Sequence, residues 1–171
     1  MPAGRRLIEI HNPLLAIDGL GNLCLDTQGK LAEQIAAGNI PAFGGKGIPT
    51  GVVISAAAGA VQYYSDVTFQ VSDLTGTAVA GVYVFDIWLS DAATGAGLTG
   101  TTASGGISAE TSGGVVLSVY TAAKALKVQT NTSGAFVLRI IDSAKTGFYP
   151  VANVDIVPNI GAQLVAANYH A

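Results

Sequence analysis

Few side chains in this 171-residue chain are of kinds that do chemistry, and their spacing does not suit it. The histidines are His11 and His170, one near each end, and Cys24 is the single cysteine. A zinc site needs about four nitrogen or sulfur ligands, and no HExxH, CxxC or clustered His/Cys set supplies them. A Ser-His-Asp arrangement would have to recruit a terminal histidine, and no GxSxG turn offers the nucleophile. Cys24 lies in GNLCLD without a positive neighbour to favour a thiolate, so it reads as a structural thiol. GLGN at 19–22 and GGKG at 44–47 are too short for phosphate loops and lack a strand–helix context. No catalytic, cofactor-binding or metal-ligating residue is expected, and no cofactor.

The carboxylates need a separate check. Asp66, Asp73, Asp91 and Asp142 stand near the ends of expected strands. Oxygen ligands at turns bind calcium when they fill a D-x-[DN]-x-[DN]-G loop, and that loop is missing. Turn capping is their expected role. Asp86 and Trp88 are two residues apart on one expected strand and therefore share a face. A carboxylate for hydroxyls beside an indole for a ring is a platform for a sugar. Against this, strand aromatics ordinarily pack a core or a subunit contact. Asn131-Thr132-Ser133 matches the glycosylation sequon, a pattern short enough to arise by chance.

The elements that position these residues are strands. In GVYVFDIWLS, residues 81–90, Tyr83, Phe85, Ile87 and Leu89 form one face. Val82, Val84, Asp86, Trp88 and Ser90 form the other, a period of two. Val67, Phe69 and Val71 alternate with Thr68, Gln70 and Ser72 in the strand before it. Asp73-Leu74-Thr75-Gly76 is a tight turn, with an Asp to bond nearby amides and a Gly for positive φ. Residues 91–106 read as a Gly/Ala/Thr-rich loop. GGVVLSVY at 113–120, ALKVQTN at 125–131, AFVLRIID at 135–142 and VANVDIV at 151–157 supply further strands. Leu126 and Val128 point inward, as do Phe136, Leu138 and Ile140, and Thr132-Ser133-Gly134 is a turn. Short strands joined by Gly-rich turns predict a two-sheet sandwich, with a barrel as competitor.

Residues 1–64 read as an N-terminal arm or a small accessory β region, 65–158 as the sandwich, and 159–171 as a tail. LIEI at 7–10 is a candidate strand and LAEQIAA at 31–37 a short helix stopped by Gly38-Asn39. IPAFGGKGIPTG at 40–51 is a loop or extended arm. VVIS at 52–55 is a candidate strand and AAAGA after it a bend or a close backbone approach. The tail is an edge strand, a contact arm or a frayed end. Arg5 and Arg6 before an apolar run are similar to a signal peptide, but Glu9, His11, Asn12 and Pro13 interrupt it. That segment is expected to stay on the chain.

Composition points toward contact as the chain's work. Half the residues are apolar and only 11% are charged, against roughly a quarter in ordinary domains. So uncharged a surface is expected to be covered in an assembly; the alternative is a monomer with a Ser/Thr/Gly exterior. A net charge of −3 gives no footprint for nucleic acid. No run approaches the ~18 apolar residues of a membrane helix, so no membrane partner is expected.

VSDLTGTAVAGVYVFDIWLSDAATGAGLTG, with TNTSGAFVLRIIDSAKTGFYPVA downstream, resembles a module of structural proteins from tailed bacteriophages. The resemblance covers residues 67–152 and implies a mainly β, immunoglobulin-like sandwich. It further implies a non-enzymatic virion protein: a capsid decoration protein on the outer head surface, bridging subunits of the major capsid protein. Such proteins are homo-oligomers, often trimers. A neck, tail or fibre component is the alternative, and a carbohydrate-binding adhesion module another. Phe43, Tyr63, Tyr64, Tyr83, Trp88, Phe148 and Tyr149 are the candidate contact aromatics.

Overall fold

A computed structural model describes residues 49–73, 75–154 and 158–171. The expected strand 7–10, helix 31–37 and most of the loop 40–51 lie outside these residues, as do Arg5, Arg6, His11, Cys24 and Phe43.

The described residues form nine strands, in order: β1 Gly51–Ala58, β2 Tyr64–Ser72, β3 Val84–Ser90, β4 Gly106–Ala109, β5 Val115–Thr121, β6 Ala125–Gln129, β7 Ala135–Ile141, β8 Tyr149–Asn153 and β9 Asn159–Ile160. They form two antiparallel sheets, ordered β1-β2-β7-β4 and β5-β6-β3-β8-β9. The fold is mainly β, as expected.

Alternation decides which side chains meet between the sheets. Val67, Phe69 and Val71 of β2 face inward beside Phe136, Leu138 and Ile140 of β7. Phe85, Ile87 and Leu89 of β3 oppose them with Leu126 and Val128 of β6. All are at most 3% exposed, so these strands have one register that keeps their apolar faces from water. Phe69 and Phe136 pair across β2 and β7 with ring centroids 6.4 Å apart.

The two expected turns are built from their own side chains. Asp73 Oδ1 accepts the Thr75 and Thr77 amides at 2.9 and 3.0 Å. Gly76 stands at φ +79°, where a Cβ would be strained. At the second turn, Asn131 Oδ1 accepts the amides of Ser133 and Ala135. Gly134 there has φ +80°, and a Cβ on it would overlap the Val79 carbonyl oxygen.

Several boundaries differ from expectation. Residues 47–171 cluster as one compact unit, so the expected limits at 65 and 158 both fall inside it. β1 lies before the first limit and pairs along its whole length with β2. Its alanines 56–58 are strand rather than bend, because β2 offers them a ladder from Val67 to Ser65. The pairing of β3 begins at Val84, not residue 81. Gly81, at φ +147°, instead bridges Ser133 in parallel. β4 emerges at the end of the expected loop, paired to β7.

The tail is not frayed. β9 pairs with β8, and Leu164 and Tyr169 are core residues at 2% and 3% exposure. Tyr63 donates its amide to the His170 carbonyl at 3.0 Å, and His170 donates to Tyr64 at 2.9 Å. Val52 donates its amide to Asn159 Oδ1 at 3.1 Å, tying β1 to β9. This flank of the two sheets is closed.

One core group is left over. Ser65 Oγ is fully buried on β2 and has no hydrogen-bond partner among the described residues. A desolvated, unpaired hydroxyl is a cost. Ser65→Ala is therefore expected to leave stability unchanged or raise it by up to about 1 kcal/mol. Thermal unfolding checks this; a clear loss would mean that the hydroxyl is bonded.

Candidate interaction surface

Charge on the outer faces is gathered into two clusters, one on each sheet. On the four-stranded sheet, Arg139 of β7 binds Asp66 of β2 through two bonds of 2.8 and 2.9 Å. Glu110 lies 3.8 Å from the same guanidinium, which also sits 5.2 Å from the Tyr64 ring centroid. The bond to Asp66 leads in holding Arg139 above its ordinary basicity. This clasp joins β2 to β7 and occupies Tyr64.

β5 is the opposite case. Its sequence VVLSVYT carries no charge, and it is the end strand of its sheet. Val115, Leu117, Val119 and Tyr120 are each between 48% and 58% exposed. Val84 lies in the same cross-strand row as Val115 through Gln129, and Val82 is also exposed. Six apolar side chains thus share one edge and the face beside it. A concentration of exposed apolar area marks a contact site on a soluble fold.

Two irregularities in the β5–β6 ladder produce this display. Val116 pairs with Val128 and Ser118 with Lys127, leaving Leu117 as an extra residue. Val119 pairs with Leu126 and Thr121 with Ala125, leaving Tyr120 as a second. Val116 and Val119 thereby keep the register of the core-facing residues opposite. The extra residues are the two largest side chains of the strand. Bulges re-aim side chains and also spoil the regular ladder that an added strand would use. The edge is shaped for side-chain packing more than for strand addition.

Beside it lies an open groove of about 540 Å³, between β4 and β5. Ile107, Ala109, Val116, Val119 and Leu126 supply its apolar lining, and Glu110 its charge. Glu110 is held below its usual range chiefly by the Ser112 hydroxyl and amide. No ladder joins β4 to β5, and the groove opens between them; the β1–β9 flank, also without a ladder, is closed by the Val52–Asn159 bond and the tail.

The expected contact aromatics do not gather here. Tyr63 is at a turn with φ +68° and is 37% exposed. Tyr83 packs on the core and donates its hydroxyl to the Ala80 carbonyl at 3.0 Å. Phe148 is fully buried and offers no surface while the domain is folded. Tyr149, half-buried on β8, reaches Gln163 at 3.3 Å. Phe43 lies outside the described residues.

The Asp86–Trp88 pair shares the outer face of β3, yet both members are engaged. Trp88 Nε1 donates to the Gly95 carbonyl at 2.9 Å, so the 91–99 loop holds the indole. Asp86 accepts the Tyr120 hydroxyl at 3.0 Å and lies 3.8 Å from Lys127. Tyr120 and then Asp86 raise the basicity of Lys127. Nothing in this geometry favours a sugar.

The turn aspartates are engaged too: Asp91 by Thr99 and Gly100, and Asp142 by three amides. Among the described residues no three His, Cys, Asp or Glu side chains stand together as a metal site. The sequon's Asn131 gives its side-chain amide to the Ser112 carbonyl at 3.1 Å. No helix of the described residues is long and apolar enough to cross a membrane.

Reading from the sequence missed the β5 surface. Its signal is apolar residues at both parities in VVLSVYT, a pattern that β1, GVVISAAA, shares and that therefore does not single it out. Comparison with known proteins finds no matching family model, no matching curated protein and no matching solved structure.

Proposed function

We propose that this chain is a non-enzymatic structural protein of a virion that works by contact, as a decoration protein on the outer surface of a tailed-phage head. The observation that carries the contact role is the uncharged, half-exposed apolar β5 edge. The resemblance of residues 67–152 to phage structural modules supports the virion setting.

Strand order supports the immunoglobulin-like part of this reading. Such a frame has strands A-B-E-D in one sheet and C-F-G in the other. Taking β1, β2, β3, β4, β7, β8 and β9 as A to G gives both orders. β5 and β6 are then a hairpin inserted between D and E and added beside C. The piece added to the frame is the piece that carries the exposed apolar side chains. Val115, Leu117, Val119 and Tyr120 lie outside the core that Leu126 and Val128 of the same hairpin join, which is what an element kept for a partner looks like.

On a head, the clamp would bury surface across two capsid subunits, and that area must be re-exposed before they separate. Apolar burial contributes on the order of 25 cal/mol per Å², less the costs of association. Repetition over symmetry-related positions multiplies a modest contact. A neck, tail or fibre position uses the same surface chemistry in fewer copies. Quantitative mass spectrometry of the particle separates the two: a copy number matching the capsomers supports the head, and one ring's worth moves the protein to the neck or tail.

A further inference from the structure

We propose that the β5 edge is where two copies of this chain meet, about a two-fold axis. The inference rests on the contact role proposed above and names the partner at that surface.

Three observations favour a second copy. The first is charge. β5 has none; the charged pair nearest it on this face, Asp86 and Lys127, is self-neutralising at 3.8 Å, and the groove's Glu110 lies 3.8 Å from Arg139. The patch therefore meets its own copy without like-charge repulsion. It offers no net charge to steer a partner of opposite sign. The second is shape. The groove beside β4 and the displayed side chains of β5 lie next to each other on one edge. A projection beside a recess is self-complementary under a two-fold axis, because each copy fills the other.

The third is area. Six Val, Leu and Tyr side chains about half exposed amount to on the order of 500 Å² per copy, and twice that reaches the roughly 1,000 Å² of a specific contact. A two-fold contact closes at two because each edge is occupied by its partner, and the bulges at Leu117 and Tyr120 disfavour growth by strand addition. They interrupt the regular edge on which further strands would stack.

Sedimentation equilibrium of the full chain, from ~1 to ~100 µM, tests this. The expected mass at the upper end is twice the 17.2 kDa of the chain. Leu117→Asp and Val119→Asp, both at exposed positions, are each expected to weaken the pair at least tenfold by placing a charge in an apolar contact. Val53→Asp, equally exposed but on β1, is expected to leave it intact. Circular dichroism confirms that each variant folds. A single-chain mass throughout the range overturns the proposal. So does a trimer, which one two-fold contact cannot build, or an oligomer that survives both β5 variants. Shell binding by a protein that remains monomeric would overturn this inference and leave the proposed function standing. A β5-dependent pair with no affinity for shells would do the reverse.

Discussion

Deleting residues 159–171 is expected to unfold the β domain or to lower its melting temperature by at least ~15 °C. The segment has only two residues in a sheet, yet it closes one flank. It carries Leu164 and Tyr169, at 2% and 3% exposure, into the core. Burial of two such side chains stabilises by about 2 to 3 kcal/mol each. The deletion also uncovers Phe148, whose carbonyl accepts the Leu164 amide at 2.9 Å. It removes the reciprocal bonds between Tyr63–Tyr64 and His170 and the Tyr169 hydroxyl bond to Thr146. Together these approach the whole stability of an ordinary domain, roughly 5 to 15 kcal/mol. Differential scanning calorimetry checks the result. A shift of ~3 °C or less would show that the tail only rests on a finished fold.

Asp142→Ala is expected to cost about 3 to 6 kcal/mol at neutral pH. Asp142 is 1% exposed, just after β7, and its carboxylate accepts amides from Ser104, Ala144 and Thr146 at 3.2, 3.3 and 2.7 Å. One side chain thus fixes the turn after β7 and the loop before β4. Alanine leaves three amides without their acceptor. Burial alone would raise the Asp142 pKa, but the bonds from Thr146, Ser104 and Ala144 outweigh it and hold the group below the usual carboxylate range. The sign of the pH effect follows. A depressed folded pKa contributes stability that is complete above the unfolded value, about 3.9, and is lost as pH falls through the folded value. The gap between wild type and Asp142→Ala is therefore expected to narrow below about pH 4. Urea unfolding at several pH values measures it; a gap that stays constant into acid would contradict the role given to the charge. Tyr169 belongs to the same end of the fold. Its burial, and then the Asp142 charge, raise its phenol far above the ordinary range. The two predictions thus probe one junction from opposite sides.

Much of the core was legible because period-two alternation is a direct consequence of strand geometry. Phe85, Ile87 and Leu89 face inward as the pattern requires, and so do Phe136, Leu138 and Ile140. Both turns were legible for the same kind of reason, Asp73 with Gly76 and Thr132-Ser133-Gly134 stating their backbone conformation locally, although Asn131, read as the end of a strand, is what caps the second. Elements that borrow stability from partners were not legible. Alanines 56–58 are strand because β2 lies beside them. β4 is four residues long and has only Ile107 as a large apolar side chain. Leu164 and Tyr169 have no periodic context, and their burial depends on where the chain returns. Phe148 was a candidate for contact, yet it is core, since two adjacent aromatics after a glycine do not announce which of them faces inward. The β5 surface depends on two bulges, and a bulge is a property of paired strands that one strand's sequence does not carry.

The proposed contact role is tested most directly by binding of the purified chain to mature heads of the phage proposed to encode it, stripped of their decoration. The account predicts saturable co-sedimentation in a copy number set by the capsomers, and none with free major capsid protein. Folded protein that stays in the supernatant at every concentration would contradict it.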